Sequence, residues 1–307
     1  MEKAILVTGA LGQIGPELVP VLRDRYGAER VIASDLRAPA QGGDDGPFVQ
    51  LDCTRQDRIQ DVEQRHDIGT VFHLAALLSA VAEDKPQTAW ELNMGGLYQV
   101  LEVSRQNGCA LFLPSSIGSF GPTTPRDATP QDTVQRPTTM YGVTKVASEL
   151  LCDYYSRRFG VDTRGLKLPG LISHVAMPGD GTTDYAVEIF YQASRYRHYT
   201  CFVRPDTRVD MMYMPDAIRA IIEAMKADPA WLVHRNAFNI AAMVFTPDEL
   251  AAEIHSQVSV DHTAADIDEV LEILASRPGG QSVLGNVSDW GMSVFSCVQS
   301  VRAGAMS

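Results

Sequence analysis

Long apolar runs and positive charge are both scarce in this sequence. No stretch of 18 residues is continuously hydrophobic, and the N-terminus leads into a strand pattern without a signal peptide, so neither a membrane span nor secretion is expected. Lys and Arg number 26 against 38 Asp and Glu, which gives a formal net charge of -12. Such a surface repels phosphate backbones and anionic lipids. We expect a soluble cytoplasmic protein whose partner is neither nucleic acid nor a membrane.

Cysteine and histidine give no sign of a disulfide framework or a metal site. The five cysteines are scattered and form no C-x-x-C pair, which is typical of reduced thiols in a reducing compartment. The seven histidines include no H-x-x-x-H pair, so no metal is expected. With 307 residues, 45% of them hydrophobic, the chain can bury the core of one large domain or of a domain with a smaller lobe.

The N-terminal segment has the pattern of a strand, a tight turn and a helix. An apolar run over residues 3 to 7 leads into Gly9-x-x-Gly12-x-x-Gly15, and an amphipathic pattern follows over residues 17 to 25. Glycines let the backbone turn sharply and approach a pyrophosphate, which the positive end of the next helix attracts. The alternative is a close helix-strand contact without a ligand. The predicted phosphate contacts are Gly9, Gly12, Gln13, Ile14 and Gly15.

An acidic residue ends the second predicted strand, which covers residues 31 to 35. Asp35 lies 20 residues beyond the last glycine of the turn, where a carboxylate accepts a hydrogen bond from the adenosine ribose 2'-hydroxyl and repels a 2'-phosphate. This predicts NAD as the cofactor, with Leu36 and Arg37 as further contacts. Arg37 could instead hold the phosphate of NADP, and Asp35 could be a turn residue or a helix cap.

The next two predicted strands also end near candidate cofactor contacts. The strand over residues 48 to 52 ends on Asp52, which can accept from the adenine amino group or cap the helix that begins near Gln56. The strand over residues 70 to 76 is nearly all apolar, as in a strand buried on both faces, and His73 in its middle is interpreted as a core histidine. The remaining predicted cofactor contacts are Cys53, Leu74, Ala75, Ala76, Asn93 in a helix over residues 85 to 107, and Leu168.

Strands and helices alternate along the chain as far as residue 167, and the fifth strand, over residues 109 to 113, is followed by Pro114-Ser115-Ser116. This alternation predicts an α/β fold with a doubly wound parallel sheet, whose ligands lie at the carboxyl ends of the strands. The predicted domains are an NAD-binding domain over residues 1–167, completed by 209–243, and a smaller substrate lobe formed by 168–208 and 244–307.

A tyrosine and a lysine stand four residues apart at the start of a helical pattern over residues 140 to 159. Tyr141 and Lys145 share one helix face at this spacing, so both side chains can point into one cleft. A nearby ammonium favours the phenolate form, which is the form that acts as a general base. The simpler interpretation is two surface residues of an amphipathic helix.

The combined pattern of Gly9-x-x-Gly12-x-x-Gly15, Asp35, Ser115-Ser116 and Tyr141-x-x-x-Lys145 resembles the extended short-chain dehydrogenase/reductase superfamily, which has a Rossmann fold. The resemblance implies that Tyr141 is the catalytic acid/base. It also implies that Lys145 binds the nicotinamide ribose and supports the tyrosine. Ser116 would hydrogen-bond the reacting oxygen, and Ser115 is the alternative for that role.

Segments of the second half are similar to the NAD-dependent L-threonine 3-dehydrogenases of the short-chain type, over residues 1 to about 270. The segments are Leu168–Ser173, Gly179–Phe190, Arg204–Arg208, Met211–Tyr213 and Asn239–Pro247. This resemblance implies NAD-dependent oxidation of the C3 hydroxyl of L-threonine to 2-amino-3-oxobutanoate in threonine catabolism. Thr182 or Thr183 could instead cap the helix that follows. The predicted substrate contacts are Ser79, Ser115, Ser116, Tyr141, Thr182 and Thr183.

Three questions stay open at the level of sequence. The chain departs from that family at Ser276-Arg277-Pro278, where the family usually has Ser-Trp-Pro, and at Asn286–Met292, where the family usually has Ala-Arg-x-Asp-Trp-Gly-Trp. The alternatives to a threonine dehydrogenase are a nucleotide-sugar epimerase or dehydratase and a non-catalytic NAD-binding protein. The apolar set Val146, Leu150, Leu151 and Tyr154 predicts either a homodimer face or packing on the chain's own sheet.

Overall fold

The computed structural model describes residues 3–39, 46–173, 175–176, 179, 181–196, 198–232, 234–235 and 237–257, and the structural statements below concern these residues. The sequence departures at Arg277 and in residues 278–307 lie outside them, as does Cys297. Within the described ranges, no helix is both long and apolar enough to cross a membrane. The chain divides into two compact units, one from residues 1–167 and 218–239 and the other from residues 168–217 and from 240 onward.

Ten strands are found along the described chain, and seven of them form one sheet. The strands are β1 (Ala4–Thr8), β2 (Val31–Asp35), β3 (Phe48–Gln50), β4 (Ile68–His73), β5 (Ala110–Ser116), β6 (Thr163–Leu168), β7 (Gly170–Ile172), β8 (Val209–Tyr213), β9 (Phe238–Asn239) and β10 (Met243–Phe245). The large sheet has the order β3-β2-β1-β4-β5-β6-β9 with parallel pairing. The chain leaves β1 in one direction and β4 in the other, which is the doubly wound topology predicted from the sequence.

Nine α-helices accompany the strands in the described ranges. They are α1 (Gly15–Tyr26), α2 (Gln56–His66), α3 (Ser79–Asp84), α4 (Pro86–Trp90), α5 (Leu97–Asn107), α6 (Met140–Phe159), α7 (Tyr185–Tyr196), α8 (Met214–Lys226) and α9 (Pro247–Gln257). The α6 helix has the predicted bounds because the Thr139 hydroxyl caps its first turn and Gly160, with φ of 73°, ends it. Residues of α2, α5 and α6 pack with residues of β1, β4 and β5 in the main core.

Two sequence expectations in this region were wrong. The helix predicted over residues 85 to 107 is two α-helices joined by a π-helical turn at Glu91–Gly96. Ser79, three residues beyond the predicted fourth strand, is the first residue of α3. The fourth strand also ends at His73, so Leu74 to Ala76 belong to the connection that follows it.

The second unit is built around the small sheet β10-β8-β7. The β7–β8 pair is parallel and the β8–β10 pair is antiparallel. Buried residues of α7, including Tyr185 and Phe190, form a separate core with Leu250 and Ile254 of α9. The sequence analysis assigns residues 209–243 to the first domain. In the structure, residues 209–217 group with the second unit because β8 pairs with β7 and β10.

Candidate active site

The glycine turn between β1 and α1 brings two chain segments very close together. Gly9 has φ of 71°, and a side-chain carbon there would lie 2.6 Å from the Ala75 nitrogen, in the connection after β4. A carbon at Gly15 would lie 2.2 Å from the Ala10 carbonyl oxygen. The α1 helix has no side-chain cap at Ile14. The turn therefore has the close backbone and the uncapped helix start that suit a pyrophosphate.

Asp35 ends β2 beside this turn and is almost fully buried. Its carboxylate accepts from the Leu11 nitrogen at 3.1 Å and from the Arg37 nitrogen at 3.1 Å. The Arg37 guanidinium also donates to Asp35 at 3.3 Å and to the Leu11 carbonyl at 2.8 Å. Asp35 thus holds Arg37 against the glycine turn and keeps acceptor capacity on its two oxygens for a ribose hydroxyl.

The other predicted adenosine contacts surround the ends of β2 and β3. Leu36 is exposed, with a relative exposure of 62%. Asp52 accepts from the backbone nitrogen and the hydroxyl of Thr54 at 2.9 and 2.7 Å. It does not cap α2, since the capping position belongs to Arg55. Burial and the charge of Asp52 raise the pKa of the Cys53 thiol to about 12, so this side chain stays a neutral thiol.

Asn93 lies in the π-helical turn and is buried. Its side-chain oxygen accepts from the Leu77 nitrogen at 2.8 Å, and its amide nitrogen donates to the Leu77 carbonyl and to the Thr144 hydroxyl, each at 3.2 Å. The Thr144 hydroxyl donates in turn to the Tyr141 carbonyl at 2.8 Å. Asn93 therefore links the connection after β4 to the first turn of α6, and π-helical turns are often found at such positions.

Tyr141 and Lys145 lie together on α6, as their spacing predicts. The Lys145 ammonium is 5.3 Å from the centre of the Tyr141 ring and donates to the Pro114 carbonyl at 2.7 Å. Lys145 is buried, while Tyr141 is half-buried. Two ammonium hydrogens remain for other acceptors, so the lysine can support both a ribose hydroxyl and a phenolate.

Ser115 and Ser116 point in different directions because successive residues of a strand alternate. The Ser115 hydroxyl is buried and donates to the Glu149 carboxylate. The Ser116 hydroxyl accepts from the Gly118 nitrogen at 3.1 Å. A side-chain carbon at Gly118 would lie 3.2 Å from the Tyr141 ring and 3.4 Å from the Ser116 hydroxyl oxygen. The tyrosine ring and the Ser116 hydroxyl therefore border the same small space, and Ser115 is engaged elsewhere.

His73 lies at the end of β4, not in its middle. Its Nδ1 lies 2.7 Å from the Thr8 hydroxyl, and its Nε2 has no partner among the described residues. Burial and the charge of Lys145 lower the pKa of His73 to about 3, so the ring is neutral at neutral pH. A buried neutral imidazole of this kind is not a proton donor to the cleft.

The remaining predicted residues belong to the second unit or to its border. Leu168 is buried at the end of β6. Thr182 is exposed, and Thr183 is half-buried with its methyl group over Gly170, where a side-chain carbon would lie 2.8 Å from it. The residue directly before α7 is Asp184, which accepts from the Gly181 nitrogen at 2.6 Å. The Asp184 carboxylate therefore closes the turn before α7. A cap by either threonine stays a prediction.

Sequence reasoning missed three polar residues that support the site. Thr144 and Glu149 lie on α6, and Lys167 lies on β6, all almost completely buried. The Lys167 ammonium lies 2.9 Å from the Glu149 carboxylate. The available signal was the spacing of Glu149, four residues after Lys145 and on the same helix face.

The first unit thus combines a tight glycine turn, a buried carboxylate at the end of β2 and a tyrosine-lysine pair beside a serine hydroxyl. Residues 5–241 match the model of the NAD-dependent epimerase/dehydratase family. The chain belongs to this family. Its cofactor is NAD, and the turn at Gly9 to Gly15 together with Asp35 fits that dinucleotide. The family and the tyrosine-lysine pair identify an NAD-dependent oxidoreductase with the extended short-chain dehydrogenase fold.

Three similar proteins illustrate the range of the family. An uncharacterised epimerase/dehydratase of Staphylococcus haemolyticus is 49% identical over 95% of this chain and 93% of its own length. The L-threonine dehydrogenase structure from Clostridium difficile is 48% identical, covers 92% of this chain and 90% of its own, and has a TM-score of 0.81. A GalE-like L-threonine dehydrogenase from Cupriavidus necator in its holo form is 50% identical over 83% of each chain, also with a TM-score of 0.81.

Proposed function

We propose that this protein oxidises the C3 hydroxyl of L-threonine to 2-amino-3-oxobutanoate with NAD as the hydride acceptor, a step of threonine catabolism. The observation that carries the proposal is the similarity to solved L-threonine dehydrogenases, with which the chain shares 48% and 50% sequence identity. The site supports it, because Tyr141, Lys145 and Ser116 form the set that alcohol oxidation needs. In the proposed assignment Tyr141 is the proton acceptor, Lys145 supplies the charge that stabilises it, and Ser116 donates to the reacting oxygen.

In this proposal the protein handles the proton and the oxygen of the substrate. Tyr141, as the phenolate, accepts the proton of the C3 hydroxyl, and the Lys145 ammonium stabilises that phenolate beforehand. Ser116 donates a hydrogen bond to the same oxygen as it becomes a carbonyl. Bound NAD supplies the acceptor for the hydride that leaves C3, so the products are the ketone and NADH.

The substrate contacts in the second unit are part of the proposal. Thr182 and Thr183 would hold the amino and carboxylate groups of the substrate with their hydroxyls, and Ser79 at the start of α3 is a further candidate. The methyl group of Thr183 is already packed on Gly170, which fixes the direction in which its hydroxyl can point. Hydroxyls and backbone amides of this kind suit a small zwitterion.

The test is NADH formation, followed by near-ultraviolet absorbance, over a panel of 3-hydroxy amino acids and nucleotide sugars. We expect NADH with L-threonine and none with nucleotide sugars. Turnover of a nucleotide sugar would favour the epimerase or dehydratase alternative instead. Binding of NAD without turnover of any substrate in the panel would favour a non-catalytic NAD-binding protein.

We also propose that two copies pair through the exposed face of α5 and α6, and that the protein works in the reducing cytoplasm. Leu150 and Tyr154 are 63% and 53% exposed, while Leu151 packs on the chain's own core. Tyr98 of α5 and Tyr154 both contact the Tyr155 ring, which makes the apolar face continuous. Sedimentation should give a dimer that Leu150→Asp converts to a monomer. A monomeric unaltered protein would contradict this proposal.

A further inference from the structure

A buried carboxylate lies behind the catalytic residues of α6. Glu149 is 2% exposed and is bonded through both of its oxygens. One oxygen accepts from the Ser115 hydroxyl. The other accepts from the Gln135 amide at 3.1 Å and pairs with the Lys167 ammonium at 2.9 Å. Donors from β5, from the loop before α6 and from β6 therefore fix the plane of one carboxylate.

The partners of Glu149 are themselves held in place. Lys167 is 2% exposed and also donates to the Ala237 carbonyl at 3.1 Å, next to β9. The Gln135 amide also donates to the buried Ser119 hydroxyl at 3.1 Å. Glu149 is thus anchored from two sides, and its contact with Ser115 is a fixed point for the end of β5.

Stability alone is a weak explanation for this network. The desolvation free energy of a buried ammonium and carboxylate offsets much of the free energy of their attraction. Replacing such pairs with apolar residues is often neutral or stabilising. A buried charge pair is better explained when it fixes the geometry of a neighbouring functional group. The group next to Ser115 in the chain is Ser116, whose hydroxyl borders the space beside the Tyr141 ring.

We propose that Glu149 is a positioning residue that acts through Ser115 to fix the hydroxyl of Ser116 for the reacting oxygen. This inference rests on the proposed function, since it deepens the role of the serine in that reaction. Because the Ser115 hydroxyl is bound to Glu149, the network also decides which of the two adjacent serines serves the substrate. Glu149, Gln135 and Lys167 touch neither substrate nor cofactor in this account.

The test uses Ser115→Ala, since Glu149→Ala would leave Lys167 buried without its counter-charge and could fail to fold. Ser115→Ala removes the link and keeps the ion pair. We expect kcat with L-threonine to fall about tenfold, because a small displacement of a catalytic group is costly, while the KM for NAD stays near the value of the unaltered protein. Ser104→Ala is the matched control: that serine is equally buried on α5, and no described residue bonds its hydroxyl.

The double variant Ser115→Ala/Ser116→Ala separates positioning from a general structural role. If Ser115 acts only through Ser116, the double variant should be no slower than Ser116→Ala alone. Losses of kcat that multiply in the double variant would overturn the proposal. A kcat of Ser115→Ala equal to that of Ser104→Ala would overturn it as well.

A second measurement does not depend on the substrate. In crystals of Ser115→Ala grown with NAD, we expect the Ser116 hydroxyl to move away from its position beside Gly118 and the Tyr141 ring. A Ser116 hydroxyl that stays in place would overturn the positioning role, whatever the enzyme oxidises. By contrast, unaltered protein that binds NAD and forms no NADH with L-threonine would contradict the proposed function and leave the crystal test valid.

Discussion

The two units differ in how their predicted site residues are held. In the first unit Asp35 is bonded to Leu11 and Arg37, Lys145 to Pro114, and Ser115 to Glu149. In the second unit Thr182 is exposed, and the packing of Thr183 involves its methyl group. The first unit is therefore preorganised by its own hydrogen bonds. We expect changes in the first unit to alter rate or cofactor choice and changes in the second to alter substrate affinity.

The largest expected effect belongs to Tyr141→Phe. Because this change removes the proton acceptor and keeps the ring, kcat should fall by about 10²- to 10⁴-fold. NAD affinity, measured by fluorescence titration, should stay close to that of the unaltered protein. Near-normal turnover in this variant would end the assignment of Tyr141 as the general base.

A smaller effect is expected for Asp35→Ala. The preference for NAD over NADP should weaken by about 10- to 100-fold, because a charged hydrogen bond to the ribose and a repulsion of the 2'-phosphate are both lost. The ratio of kcat/KM for the two cofactors measures this directly. Asp52→Ala, two residues beyond the end of β3, is the matched control, and we expect it to leave that ratio unchanged. An unaltered ratio in Asp35→Ala would show that Asp35 only holds the turn.

In the second unit, Thr183→Val should raise the KM for L-threonine about 2- to 10-fold, the usual worth of one hydrogen bond. The KM for NAD should not change. Thr183→Ser keeps the hydroxyl and removes the methyl group that lies over Gly170, so it should lower the midpoint of thermal unfolding without raising the substrate KM. If both variants raise the KM equally, the hydroxyl is not the substrate contact.

The last prediction concerns the relative reactivity of the cysteine thiols, and it can be tested without an activity assay. Burial raises the pKa of Cys53 to about 12 and that of Cys109 to about 11, and it also raises the pKa of Cys152, so these three side chains hold almost no thiolate near pH 7. Cys201, in the second unit, is partly exposed. Brief maleimide labelling followed by peptide mass spectrometry should modify Cys201 before the other three. Equal labelling of Cys53 would contradict the burial described for the first unit.

Local signals were enough to predict much of the first unit. The glycines after β1, the acid at the end of β2 and the Tyr-x-x-x-Lys of α6 each depend on a few neighbouring residues, and α6 has both of its predicted ends. The residue bounds of the domains and the roles of individual site residues stay predictions. The sequence could not show which of Ser115 and Ser116 faces the substrate. Their side chains point to opposite faces of β5, and only the structure shows that the Ser115 hydroxyl is bonded to Glu149.

Features that depend on distant partners were missed. Glu149 and Lys167 look like surface charges in the sequence, and only the pairing of α6 with the sheet buries them together. The π-helical turn at Glu91–Gly96 contains Asn93, which is bonded to Leu77 and Thr144, 16 and 51 residues away. No periodicity within a helix reports such contacts.

The most direct test of the central claim is the fate of the hydrogen at C3 of the substrate. L-Threonine carrying deuterium at C3 should be incubated with the protein and NAD, and the reduced cofactor analysed by mass spectrometry. We expect one deuterium in the NADH that forms, and about a hundredth or less of this product with Tyr141→Phe over the same time. Unlabelled NADH, or no NADH from the unaltered protein, would contradict it.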